Sequence, residues 1–163
     1  MPITLFDPQF FANLSDKALS SPRKRSHHNL HPDYRDPVQR LFITMTSDSY
    51  IRPHRHTQDN KFECFIALQG TLAFFLFDDE GLCTARYELN TEQGTKGIEI
   101  PPHTWHCAVC LSTQATFFEV KPGPYEVVED KDFAPWAPLE NDTQATPFLA
   151  ALNALQVGQA VSL

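Results

Sequence analysis

The sequence predicts an all-β jelly-roll barrel with a short N-terminal helix and a C-terminal helix or tail. Three observations point there. Short apolar runs follow one another at close spacing between turn signals. Phe and Pro are each used 13 times in 163 residues, a composition that suits strands and turns better than a helical bundle. Helix-period patterns occur only near the two ends.

In chain order, residues 8–20 (PQFFANLSDKALS) predict a helix, with Phe11, Leu14 and Leu19 able to share an apolar stripe. Residues 21–37 predict a polar, Pro-punctuated connector carrying His27, His28 and His31. Candidate strands follow at 39–46, 62–69, 71–77, 83–90, 96–100, 105–111 and 115–121. Gly70 lies between two apolar runs, where a missing Cβ permits a tight turn. Asp78-Asp79-Glu80-Gly81 reads as a hairpin turn. Beyond residue 121, Pro122, Pro124, Pro135 and Pro138 predict an irregular wrap, and residues 145–157 a helix with Phe148, Leu152 and Leu155 on one stripe. The organisation expected is one domain in three parts: 1–38 packing on the barrel, 39–121 as the barrel core, and 122–163 as wrap and helix.

The net charge of −7 is uneven: residues 1–61 carry nine Lys/Arg against six Asp/Glu, and residues 62–163 four against fourteen. An acidic chain repels a phosphate backbone, so nucleic acid is not the expected partner. The basic run Pro22-Arg23-Lys24-Arg25 reads either as a solvated patch or as a hold for one small anion. There is no 18-residue apolar run, so no membrane partner is expected. The N-terminus lacks the charged and apolar regions of a secretory signal, and a cytoplasmic location is expected. Cys64, Cys83, Cys107 and Cys110 are then expected as reduced thiols. Cys107 and Cys110 fall on opposite faces of a strand, which argues against their chelating one ion.

The central signal is His54-Arg55-His56, because side chains at i and i+2 face the same side of a strand. Glu63 opens the next apolar strand, and His106 closes Pro101-Pro102-His103-Thr104-Trp105-His106. Three imidazoles and a carboxylate suit one divalent transition-metal ion such as zinc, iron, manganese, nickel or cobalt. Asp59, three residues after His56, is a rival carboxylate.

The stretch from His54 and His56 through Glu63 to Gly70 resembles the first cupin motif, and Pro101 through His106 resembles the second. The resemblance implies a cupin double-stranded β-helix, metal ligation by His54, His56, Glu63 and His106, and a homodimer. The chain departs from the pattern in three places. Six residues separate His56 from Glu63, more than usual; His103 stands where Gly is usual; and Cys110 stands where Asn is frequent. Five blocks (PRKRSHHNLH, DPVQRL, YIRPHRH, EIPPHTWH and FEVKPGPY) also resemble the narrower WbuC-type cupin-fold metalloproteins. That resemblance implies a saccharide or sugar-nucleotide ligand in surface-polysaccharide biosynthesis.

Other residues carry two readings each. Lys61 shares a strand face with Glu63 and either reaches the cavity as a proton-transfer group or neutralises the carboxylate. Glu119 is an acid–base candidate if it faces an apolar pocket, or else a partner for Lys121. His103 is a third proton-transfer candidate, or a turn residue at the rim. Arg52 shares parity with the two histidines and can hold a carboxylate or phosphate, or make an external ion pair. Tyr125 and Trp136 can stack a sugar ring, or simply cover one end of the barrel. The function expected is binding of, or action on, a carbohydrate or sugar nucleotide, with isomerase or epimerase chemistry as one form. The alternatives are an iron-dependent dioxygenase and a non-catalytic, metal-dependent small-ligand module.

Overall fold

The computed structural model describes residues 3–125 and 132–162. Part of the expected wrap, residues 126–131, lies outside the described residues, as do residues 1–2 and 163.

Helix α1 (Pro8–Ser20) begins as its sequence dictates. The Asp7 carboxylate accepts the Phe10 N–H at 2.8 Å, and Pro8 sits where a missing N–H costs nothing. Leu14 and Ala18, one turn apart, are the buried stripe. Leu19, expected on that stripe, is 57% exposed because it lies a third of a turn away from Ala18.

The strands are β1 (Arg25–Asn29), β2 (Val38–Thr46), β3 (His54–Arg55), β4 (Glu63–Gln69), β5 (Thr71–Phe77), β6 (Cys83–Asn90), β7 (Gly97–Ile100), β8 (Trp105–Cys110), β9 (Gln114–Pro122) and β10 (Asp132–Phe133). Helix α2 (Ala145–Ala154) follows. The strands form two antiparallel five-stranded sheets, ordered β1-β2-β9-β4-β7 and β10-β3-β8-β5-β6. This is the jelly roll expected, with two short helices attached. Strand β1 falls inside the expected connector: the polar run Arg25-Ser26-His27-His28-Asn29 lacks an apolar period, and its pairing with β2 makes it a strand.

Each sheet has an inner and an outer face, and the outer faces are covered in different ways. Phe42 points out of the first sheet and meets the rings of Phe6, Phe10 and Phe11 at 4.6, 5.0 and 6.0 Å. In the second sheet, β5 and β8 are packed on both faces. Leu72 and Phe74 of β5 pack into the barrel with Phe65 and Phe117. Ala73, Phe75 and Phe77 pack outward against Phe148, Leu149 and Leu152 of α2. Every residue of β8 is buried for the same reason. Cys107 belongs to the outer cluster and Cys110 to the inner one, and all four cysteines are free thiols.

The turns follow their sequences. Asp78 Oδ1 accepts the Glu80 and Leu82 N–H groups at 3.1 and 2.8 Å, and closes the β5–β6 connection. Gly70 turns β4 into β5 at φ +70°. A Cβ there would stand 2.3 Å from Gln114 O and 2.6 Å from Ser112 Oγ. Gly70→Ala is expected to cost about 1–3 kcal/mol, read as a lower urea unfolding midpoint; an unchanged midpoint would contradict this reading of the turn.

Candidate metal centre

The two sheets bring the candidate ligands together from opposite sides. His54 and His106 are direct cross-strand partners in the β3–β8 pair. Glu63 opens β4 in the facing sheet, where β7 and β9 fix its register on both sides through Glu63↔Ile100 and Cys64↔Val120. The long segment between His56 and Glu63 therefore does not displace the carboxylate. The loop is itself tied down: Lys61 is buried and donates from Nζ to the Pro122 and Pro124 carbonyls.

His54, Glu63 and His106 each bring one ligand atom within 4.8 Å of the others, and all three are buried. Together they form a site that can hold one metal ion. Two backbone carbonyls orient the rings. Arg52 O lies 3.0 Å from His54 Nδ1, and Thr104 O lies 2.9 Å from His106 Nδ1. A carbonyl oxygen only accepts, so each Nδ1 carries a hydrogen, which leaves Nε2 as the ring atom available to a metal. His106 Nε2 and Glu63 Oε2 stand 2.9 Å apart, both buried. A positive charge belongs between them, and a buried donor set of two imidazoles and one carboxylate fits a divalent metal ion in that place. His56 Nε2 is 3.0 Å from Glu63 Oε1, but the three-residue cluster does not include His56.

Burial alone would push the Glu63 carboxyl up. The Lys121 ammonium, 3.1 Å from Oε1, outweighs it together with the His106 and His56 imidazoles and holds Glu63 well below the usual carboxylate range. Lys121 also sits 3.0 Å from Glu119 Oε1, so one buried ammonium serves two buried carboxylates. Sequence reading gave Lys121 only a pairing role. Its parity on β9, two residues beyond the inward-facing Glu119, was the signal that it too points inside.

A cavity of about 350 Å³ opens beside the centre. Glu119, Arg52 and Tyr125 line it, with Tyr34 and Phe133, which sequence reading did not single out. Arg52 donates from Nε and Nη2 to the Ala137 and Ala134 carbonyls at 3.1 and 2.7 Å, and lies 5.4 Å from the centre of the Phe133 ring. These contacts within the chain stand where an external ion pair was the other reading. Arg23 and Arg25 reach the same cavity and share Glu140, whose carboxyl burial would raise; the two guanidiniums outweigh that and hold it low.

The remaining candidates lie elsewhere. Lys61 and His103 are not among the residues lining this cavity. His103 adopts φ 62°, the left-handed conformation that makes Gly usual there, and its Nε2 is 2.9 Å from the Asp59 carboxylate. Asp59, the rival ligand, has a fully exposed side chain. Trp136 packs against Phe77 at 5.0 Å and Phe148 at 6.5 Å in the outer cluster, away from the cavity.

The two sheets define a jelly roll that holds a His/Glu/His cluster between them. The chain belongs to the family described as "Domain of unknown function (DUF6016)", whose profile matches residues 6–89. Among curated proteins none matches the chain by sequence. An oxalate oxidase solved with glycolate overlaps 71% of this chain at 17% identity and a TM-score of 0.51; the overlap spans 58% of the oxidase chain. Protein SO0799 from Shewanella oneidensis overlaps 66% of this chain and 72% of its own, at 14% identity and a TM-score of 0.52. A cupin superfamily protein from Desulfitobacterium hafniense overlaps 60% and 76%, at 14% identity and a TM-score of 0.46. The first two likenesses show a shared fold. Among the described residues no helix is long and apolar enough to cross a membrane.

Replacing Lys121 with Met strands Glu63 and Glu119 without their shared cation. The metal-free Lys121→Met protein is expected to lose about 3–5 kcal/mol in urea unfolding, and zinc is expected to restore part of the loss. Stability equal to that of the parent protein would contradict the account.

Proposed function

We propose that the chain is a metal-dependent cupin that binds and transforms a small anionic saccharide derivative, a sugar acid or sugar phosphate. The observation that carries this is the buried His54/Glu63/His106 cluster opening onto a cavity that also holds Arg52. His56, against Glu63, completes the ligand set in this reading. A divalent ion bound there supplies Lewis acidity toward a ligand oxygen.

Charge supports an anionic ligand. The cavity lining carries Arg23, Arg25 and Arg52 against Glu63, Glu119 and Glu140, so a divalent ion leaves it net positive. Arg52 is pinned by two carbonyls and presents the rest of its planar fork to a carboxylate or phosphate. At about 350 Å³ the cavity is small for a ligand pocket, which favours one sugar unit over a nucleotide sugar. Glu119 is the wall carboxylate placed to move a proton, and Tyr125 is placed to lie along a ring. Isomerase or epimerase chemistry fits this set, and the WbuC-type sequence blocks support a role in surface-polysaccharide synthesis in the cytoplasm. Exposed Phe62, Ile66 and Leu68 support pairing of two copies.

A second reading, an iron-dependent oxygenase, draws on the two-histidine, one-carboxylate composition of the cluster. The native metal separates the two: zinc, which has no redox chemistry, argues against it.

The test is a thermal-shift and turnover panel of sugar acids, sugar phosphates and nucleotide sugars on metal-reconstituted protein. The reading predicts a shift with an anionic sugar, weakened about tenfold or more in affinity by Arg52→Leu, and turnover that stops in His106→Ala. Binding with no turnover would support a non-catalytic module, and no binding at all would sink the proposal.

A further inference from the structure

His31 is 6% exposed, and its Nε2 is fully buried with no hydrogen-bond partner. Its other nitrogen reveals which hydrogen the ring carries. The Arg40 N–H points at His31 Nδ1 from 3.1 Å. Arg40 O, also 3.1 Å from Nδ1, already accepts the Leu30 N–H at 2.8 Å. The buried backbone N–H needs an acceptor, and Nδ1 supplies it only with its lone pair. Nε2 therefore carries the hydrogen, and His31 presents an unused donor.

His31 is also one of the residues lining a second chamber of about 200 Å³. The chamber lies beside the metal-side cavity and shares His27, Tyr34, Ile43, Glu119 and Tyr125 with it as wall residues. Lys121, the cation beside Glu63, forms part of its wall, and Leu41 lines it without touching the metal-side cavity. The volume equals several waters at about 30 Å³ each, more than one donor needs. A buried donor without an acceptor costs free energy that a ligand oxygen recovers.

We infer that this chamber is a second subsite of the same cavity, which receives the far, oxygen-bearing end of a ligand whose near end faces His54, Glu63 and His106. This rests on the function proposed above and narrows its substrate class: the ligand is an extended polyhydroxy acid or sugar acid, with an acceptor oxygen several bonds from the metal-side group. On this reading a two-carbon hydroxy acid occupies the metal-side cavity alone.

The test compares glycolate with gluconate by calorimetry on the metal-reconstituted protein, its His31→Phe variant and its Leu41→Trp variant. Expected is gluconate binding about tenfold or more tighter than glycolate, with that advantage lost in both variants while glycolate is unchanged. Leu41→Trp fills the chamber and leaves His31 in place, so the test survives if His31→Phe does not fold. In the unaltered protein, nitrogen NMR is expected to show His31 protonated at Nε2, with a resonance that moves on adding gluconate and not glycolate. Equal affinities, or a gluconate advantage that persists in Leu41→Trp, would overturn the subsite and leave the proposed function standing. Failure of both acids to bind would overturn the subsite, and the proposed function falls with it if the sugar phosphates of the panel above also fail to bind.

Discussion

Glu63 is a carboxylate with 2% exposure, set among two imidazoles and an ammonium, and the rest of the site is organised around keeping it ionised there. A buried carboxylate without partners would take up a proton instead. Lys121 prevents that from the neighbouring strand β9, while the strands on either side of β4 prevent Glu63 from turning away. Opposite it, His54 and His106 are locked in register across one ladder, and two carbonyls fix which nitrogen faces inward. The centre is thus a property of the two sheets together: neither sheet carries a ligand set alone.

The packing explains why a cavity survives in so aromatic a barrel. Phe65, Phe74 and Phe117 fill part of the interior, and their rings meet at 4.8–6.2 Å. Polar residues take over elsewhere along the same inner faces: β9 passes from Phe117 to Glu119 to Lys121, and β4 begins with Glu63. Helix α1 packs outside the first sheet against Phe42, and helix α2 outside the second against β5 and β8. Segment 132–140 closes one side by pairing β10 with β3, and its carbonyls hold Arg52 against the cavity.

Much of this was legible from side-chain parity. The i, i+2 rule put Glu119 and Lys121 on one face and separated Cys107 from Cys110. Short apolar runs located β4, β5, β8 and β9, and the helical period of apolar residues located α1. What sequence could not carry is any contact set by long-range pairing. Strand β1 is polar and is a strand only because β2 lies beside it. Arg52 finds its acceptors 82 and 85 residues away. Trp136 and Tyr125 looked alike in a Pro-rich segment, yet Phe77 and Phe148 draw the first into the outer cluster while the second lines the cavity. His31 read as one of three connector histidines, because nothing local shows that Arg40 would engage one of its nitrogens.

The central claim is that the lone pairs gathered around Glu63 belong to a metal ion. Anomalous diffraction from crystals of the purified protein, recorded at the iron, nickel, zinc and manganese edges, tests it most directly. One peak per chain among His54, Glu63 and His106 is the result this account predicts. Diffraction showing those side chains ordered with no anomalous peak between them, even after soaking in divalent metals, would contradict it.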